Sequence, residues 1–253
     1  MPQEPLPMPL ESISAAPVVL APWSDNYAKW YDMVHYDHPY SVIANKINDL
    51  ARRRWGTNKR VVVEVGCGTG TLTYFLRHRL PADWVLMGCD PSKGMLDMAH
   101  NKYPSMRWEH GTFPFEGNAD LIVASFNVVN YVEDLGAWMT DAVGALTNDG
   151  MLLFDALDAE DVLRNGMKRL SKCGTQGRYR FSCDMAPERD GEKAKLNYHV
   201  TITKDRKPHL EFKTTHKIVL WTMRRLFDCM PAKTYVRVED WGPTRFYVVT
   251  RRP

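Results

Sequence analysis

Through the middle of the chain, apolar runs of strand length alternate with stripes of helical period. Tyr27, Trp30, Tyr31 and Val34 recur at i, i+3, i+4 and i+7, which predicts a helix opened by Asp25. Val42, Ile43, Ile47 and Leu50 mark a second helix from about residue 40 to 54. Arg60-Val-Val-Val-Glu-Val65 is β-branched without polar alternation, as in a strand buried on both faces of a parallel sheet. Further strands are expected at Trp84–Cys89, Arg107–Glu109, Leu121–Ser125 and Met151–Asp155. Helices are expected from residue 71 to about Arg79, from Pro91 or Ser92 onward, and over 134–147. The turn Asn148-Asp149-Gly150 leads into the last of these strands. This alternation predicts an α/β fold with a doubly wound, mostly parallel sheet.

After residue 157 the pattern changes. A short helix near 159–170 precedes strand-like runs at about 178–185, 194–204 and 209–220, separated by Arg189-Asp190-Gly191 and Lys204-Asp205-Arg206. Three strands joined by short turns are antiparallel, so a small sheet is inserted after the fifth strand. A helix at 222–229 and strands at 234–240 and 245–251 complete a seven-stranded Rossmann-like sheet. The resulting division is a proline-rich extension (1–22), a core (23–157), an insertion serving as substrate cap or dimer contact (158–219), and a return to the core (220–253). The extension is expected to be mobile or draped, with packing against the domain as the alternative.

Composition narrows the function classes. Of 253 residues, 33 are Lys or Arg and 30 Asp or Glu, a net charge of +3 that does not announce nucleic acid. No apolar run is long enough to span a membrane. Five cysteines without a Cys-x-x-Cys pair argue against a disulfide framework or a zinc cluster. The first 22 residues lack the basic start and unbroken apolar stretch of a secretory signal. A cytoplasmic protein without a metal is expected, and a homo-oligomer stays open.

The candidate chemistry starts at Gly66-x-Gly68-x-Gly70, between a buried strand and a helix. There side chains would block a ligand from the backbone, and the helix N-terminus offers free N–H groups. Asp90 lies twenty residues beyond Gly70, at the tip of the next strand, where a carboxylate can accept from both ribose hydroxyls of a nucleoside. Position 71 is Thr, whereas a dinucleotide fingerprint has its third glycine there. Glu64 would repel a pyrophosphate and suits a cationic ligand.

Val63-Glu-Val-Gly-Cys-Gly-Thr-Gly70, followed by Gly88-Cys-Asp-Pro-Ser92 and Met95-Leu96, resembles the class I S-adenosylmethionine (SAM)-dependent methyltransferases over about residues 60–155. The resemblance implies SAM as cofactor. Gly66, Cys67, Gly68 and Gly70 would pass beneath its methionine moiety and ribose. Glu64 would complement its charge, Asp90 would hold the ribose, and Pro91, Ser92 and Met95 would flank the adenine. Where the family usually has Gly-Asp after the third strand, this chain has Gly111-Thr112-Phe113. The adenine contact then falls to the Thr112 hydroxyl or the backbone, with Phe113 stacking on the ring edge.

A narrower resemblance links Tyr27-x-x-x-Tyr31-Asp32, Ser125-Phe-Asn-Val-Val-Asn-Tyr131 and His216-x-x-x-Leu220-Trp-Thr to bacterial small-molecule N-methyltransferases of the amino-sugar type. It implies Tyr31, Ser125 and Phe126 as cofactor contacts and Tyr27, Asn127, Asn130 and Tyr131 as substrate-pocket residues. Tyr27 and Tyr31 share one helical face and as core aromatics need no function, but the pocket role is favoured for Tyr31. Leu210, Phe212, Thr214, His216 and Ile218 share one strand face, so His216 is either a core histidine or a pocket residue, and with Tyr31 it is the catalytic candidate. His199 belongs to the solvated face. Asp155 caps the next helix or touches ligand.

The expected function is methyl transfer from SAM to a small-molecule amine in secondary metabolism. The alternatives are an O-methyltransferase with His216 as general base, and a SAM-binding module without catalysis. Ser125-Phe-Asn-Val128 stands where nucleic-acid amino methylases carry Asn/Asp-Pro-Pro-Tyr, which argues against a base as substrate.

Overall fold

A computed structural model describes residues 17–113, 118–241 and 245–252. Residues 1–16 of the proline-rich extension lie outside the described residues. Val18–Val19 (β1) precedes α1 (Asp25–Val34) and α2 (Tyr40–Trp55). Ser24, not Asp25, caps α1: its backbone is extended and its side chain accepts from the Tyr27 amide. The α2 stripe runs through Ile43, Ile47, Leu50 and Ala51, while Val42 turns to solvent.

The alternating region then runs β2 (Val61–Val65), α3 (Thr71–Arg77), β3 (Val85–Asp90), α4 (Lys93–Lys102), β4 (Arg107–His110), β5 (Ala119–Ala124), a 3₁₀ turn (Val128–Tyr131), α5 (Leu135–Gly144) and β6 (Leu146–Ala156). Helix α5 is shorter than expected because the edge of β6 begins at Leu146 and takes up the Asn148–Gly150 bend. With the returning strands β11 (Thr234–Asp240) and β12 (Arg245–Arg251), the sheet order is β11-β12-β6-β5-β2-β3-β4. The strand pairs from β6 to β4 are parallel, and β12 is antiparallel to both neighbours. Val63, Val65, Ile122 and Ala124 face a core on one side of this sheet, and Val62, Leu121 and Val123 a core on the other. That two-sided burial is why these strands lack polar alternation.

The insertion holds α6 (Ala159–Asn165), β7 (Leu170–Gln176), β8 (Tyr179–Asp190), β9 (Lys193–Lys204) and β10 (Lys207–Val219), and α7 (Met223–Asp228) follows it. Its sheet has five strands, β1-β10-β9-β8-β7, where three were expected. Leu-Ser-Lys-Cys-Gly-Thr-Gln pairs antiparallel to β8 although it carries one large apolar residue and is mostly exposed. Helix α6 stops at Gly166, whose φ of 77° no helix continues. Val18 and Val19 pair parallel to Phe212 and Lys213, and Leu20 is buried. Residues 18–20 are therefore tied to the edge of this sheet, with Val18 and Val19 exposed and Leu20 alone buried. The inner face of this sheet, with Phe181, Cys183, Val200, Ile202 and Phe212, packs on Tyr27, Trp30, Met33 and Val34 of α1. Helix α1 is thereby wedged between the small sheet and the carboxyl ends of the main sheet.

Candidate active site

A cavity of about 690 Å³ opens at the carboxyl ends of β2, β3 and β5, with residues 22–25 and Tyr31 as its roof. This is the crevice where open parallel sheets take ligands. Glu64, Gly66, Cys67, Gly68, Asp90, Pro91, Met95, Thr112, Ser125, Phe126, Tyr31 and Tyr131 all line it.

The three loop glycines have positive φ for different reasons. A Cβ on Gly66 would stand 2.6 Å from Val128, and one on Gly70 2.4 Å from the Trp108 ring, so these two permit packing. A Cβ on Gly68 would meet no atom of the described residues within 4 Å. Its emptiness belongs to the cavity. Gly70 does not line the cavity.

Asp90 ties the loop to β3. One carboxylate oxygen accepts from the Gly68 amide at 2.9 Å and the other from the Ser92 amide at 2.8 Å. Each oxygen keeps a lone pair for a further donor. Burial raises the Asp90 carboxyl, and the two amide bonds oppose that rise. Glu64 is 3% exposed and accepts a short hydrogen bond from the Thr73 hydroxyl. Burial pushes its carboxyl up to about 8. A buried acid poised to ionise beside a cavity favours a cationic occupant.

The opposite wall begins at the end of β5. Phe126 and Asn127 have φ of 63° and 64°, both left-handed. Asp155 is 2% exposed and accepts from the Asn127 amide at 2.9 Å, and burial pushes it up to about 7. It therefore holds this turn, whereas α6 is capped by Asp158. The Ser125 hydroxyl, buried at the cavity wall, has no partner among the described residues.

Other expected positions lie behind the wall. His216 is 1% exposed; its Nδ1 lies 3.3 Å from the Tyr131 hydroxyl, and burial pushes it down to about 4. Its ring packs edge-on against Trp23 and Tyr27. Tyr131 thus stands between His216 and the cavity. Tyr27 is fully buried, with its hydroxyl 3.1 Å from His35 Nε2. Asn130 is a strut: its amide donates to the Val219 carbonyl at 2.7 Å and accepts from the Leu157 amide at 3.0 Å. Asn127 contributes backbone to the turn but does not line the cavity. Phe113 packs against Trp138, which lines the cavity, and does not itself line it. Gly111 also stands off the wall, donating its amide to the Asp90 carbonyl. His199 pairs with Glu211 on the solvated face, as its strand position indicated.

Sequence reasoning missed Trp23. It sits at φ 61°, lines the cavity, and packs against Tyr31, Tyr131 and His216. Its carbonyl accepts from the Ser92 hydroxyl at 2.5 Å, fastening the roof to the start of α4. The available signal was the capping serine that follows it.

Residues 62–150, which contain the glycine loop, Asp90 and the Ser125–Tyr131 turn, match the family model described as a methyltransferase domain. That stretch of the chain is thus similar to methyltransferase domains. S-adenosylmethionine is the cofactor that such a domain implies. The methyltransferase domain fits that group: open space over Gly68, spare lone pairs on Asp90, an unpartnered Ser125 hydroxyl and a buried acid all face one cavity.

Two solved structures share its architecture. DesVI of Streptomyces venezuelae superposes with a TM-score of 0.78 at 21% identity, over 89% of this chain and 98% of that one. The sugar N-methyltransferase KedS8 from a Streptoalloteichus species gives 0.73 at 16%, over 97% and 99%. At such identities the likeness is one of fold. In sequence, the chain is 32% identical over 98 residues to a malonyl-[acyl-carrier protein] O-methyltransferase of Acetivibrio thermocellus, over 37% of this chain and 34% of that protein. The match spans about a third of the curated relatives' length. Among the described residues no group of three or more His, Cys, Asp or Glu side chains is placed to hold a metal, and no helix is long and apolar enough to cross a membrane.

Proposed function

We propose that this chain transfers a methyl group from SAM to a nitrogen of a small-molecule amine. The observation that carries the reading is the wall facing the acceptor. His216, the leading base for an oxygen acceptor, is off the wall and holds its proton weakly, at about 4. The hydroxyls of Tyr31 and Tyr131 are raised well above their ordinary value by burial. A neutral amine needs no base there, because its lone pair is available once water has taken the ammonium proton. A hydroxyl acceptor needs one.

The bound cofactor supplies an activated methyl group on a sulfonium that departs as a neutral thioether. The protein's residues supply position. Asp90 would hold the ribose by two charge-assisted hydrogen bonds, the Gly66–Gly68 backbone would pass beneath the methionine portion, and Glu64, once ionised, would offset the positive charge. Trp23, Tyr31 and Tyr131 would form the acceptor side, where aromatic faces suit an ammonium. Fixing nucleophile, carbon and sulfur in line is worth up to ~7–11 kcal/mol in favourable intramolecular cases. The fold likeness to a sugar N-methyltransferase supports a nitrogen acceptor. The partial likeness to malonyl-[acyl-carrier protein] O-methyltransferases and the Tyr131–His216 contact favour the second reading, O-methylation.

The test is transfer of isotope-labelled methyl from SAM to panels of small amines, phenols and carboxylic acids. Label on nitrogen is expected. Label confined to oxygen would transfer the account to the second reading.

A further inference from the structure

Two consecutive non-glycine residues in the left-handed region cost free energy, and such strain persists only where surrounding groups over-determine it. Phe126 and Asn127 are such a pair, directly after β5. Asp155 is the group that over-determines them. It lies on β6, beside β5, and its Oδ1 accepts from the Asn127 amide at 2.9 Å. The Phe126 and Asp155 amides also favour its charged form. A fully buried carboxylate committed to amide donors of a strained turn has no evident purpose in the core.

The turn has two outputs. It sets Ser125 and Phe126 on the cavity wall, the former with an unpartnered hydroxyl. It also fixes Val128, whose methyl would stand 2.6 Å from a Cβ on Gly66. Movement of the turn is therefore passed by direct packing to the first glycine of the loop.

We propose that Asp155 is a positioning residue for the cofactor side of the cavity: by holding the Phe126–Asn127 turn it sets Ser125 on the wall and Val128 against Gly66. This rests on the reading of the cavity as the SAM site. Asp155 itself touches no ligand.

The experiment is calorimetric titration of SAM into wild type, Asp155→Asn, Asp155→Ala and Asp155→Ala/Asn127→Gly, each with its thermal melting curve. Val249→Ala, a core truncation away from the cavity, serves as a control for general loss of stability. Asp155→Ala is expected to weaken SAM by roughly tenfold or more, the equivalent of about 1.4 kcal/mol. Asp155→Asn keeps an acceptor for the Asn127 amide and should lose only a few-fold. Glycine at 127 adopts positive φ at no steric cost, so the double variant should recover part of the loss. Val249→Ala should lower the melting temperature without changing affinity. Folded Asp155→Asn and Asp155→Ala with affinities within twofold of wild type would overturn the proposal, as would a double variant no tighter than Asp155→Ala. Failure of the wild type to bind SAM would instead overturn the reading of the cavity.

Discussion

Replacing Glu64 by Gln should make the ligand-free protein more stable at neutral pH and weaken its hold on SAM. In the folded protein burial holds the Glu64 carboxyl at about 8, against 4.5 for an ordinary glutamate. The native state therefore binds more protons than the unfolded chain between these values. Stability falls as pH rises through that window, by about 1.4 kcal/mol per unit, and the loss is complete above pH 8. From pH 5.5 to 7.5 the Glu64 contribution falls by on the order of 2–3 kcal/mol. Glutamine does not titrate, and its carbonyl can still accept from the Thr73 hydroxyl. Asp90 and Asp155 are also raised, but they titrate in both proteins and largely cancel in the difference. The assay is urea denaturation of both proteins at several pH values without SAM. The advantage of Glu64→Gln should grow with pH by that amount. A stability difference that stays constant from pH 5.5 to 8 would refute the claim that Glu64 is a buried, uncompensated acid. Binding a sulfonium should pull the proton from Glu64, so titrations of SAM near pH 7 in two buffers of different ionisation enthalpy should report proton release that Glu64→Gln abolishes.

Asp90→Ala should weaken SAM by roughly 10- to 150-fold, from loss of paired hydrogen bonds to a charged acceptor worth about 1.5–3 kcal/mol; calorimetry with affinity near wild type would remove Asp90 from the site. Gly68→Ala and Gly70→Ala share backbone strain but should differ in kind. The first should fold and bind SAM poorly. The second should lower the melting temperature further, because its Cβ would enter the Trp108 ring; equal melting temperatures would contradict the separate roles. His216→Ala should reduce kcat by ~10-fold or less, through the Tyr131 contact, with no recovery at alkaline pH; a thousandfold loss restored by alkali would favour oxygen as the nucleophile.

The local parts of this molecule are legible in the sequence because their causes are local. The β2 run, the glycine turn, Asp90 and the strand that carries it lie within thirty residues, and each is specified by its neighbours. Period-two alternation also placed His216 on the inner face of β10, where it lies. Periodicity gives the face and not the depth, so it did not show that Tyr131 stands between His216 and the cavity. Asn130 reads as a pocket residue until β10 brings the Val219 carbonyl to its amide. Strands β1 and β7 are short or polar, and only pairing with β10 and β8 makes them strands. Asp155 acts across two neighbouring strands on a turn whose strain is a backbone property, and residue types alone do not reveal that.

The most direct test is a crystal structure of the protein with S-adenosylhomocysteine. Both ribose hydroxyls are expected within hydrogen-bond distance of the Asp90 carboxylate, the homocysteine portion over Gly66–Gly68, and the sulfur facing Ser125, Tyr31 and Tyr131. A nucleoside bound elsewhere, or lying in this cavity without touching Asp90, would contradict this placement.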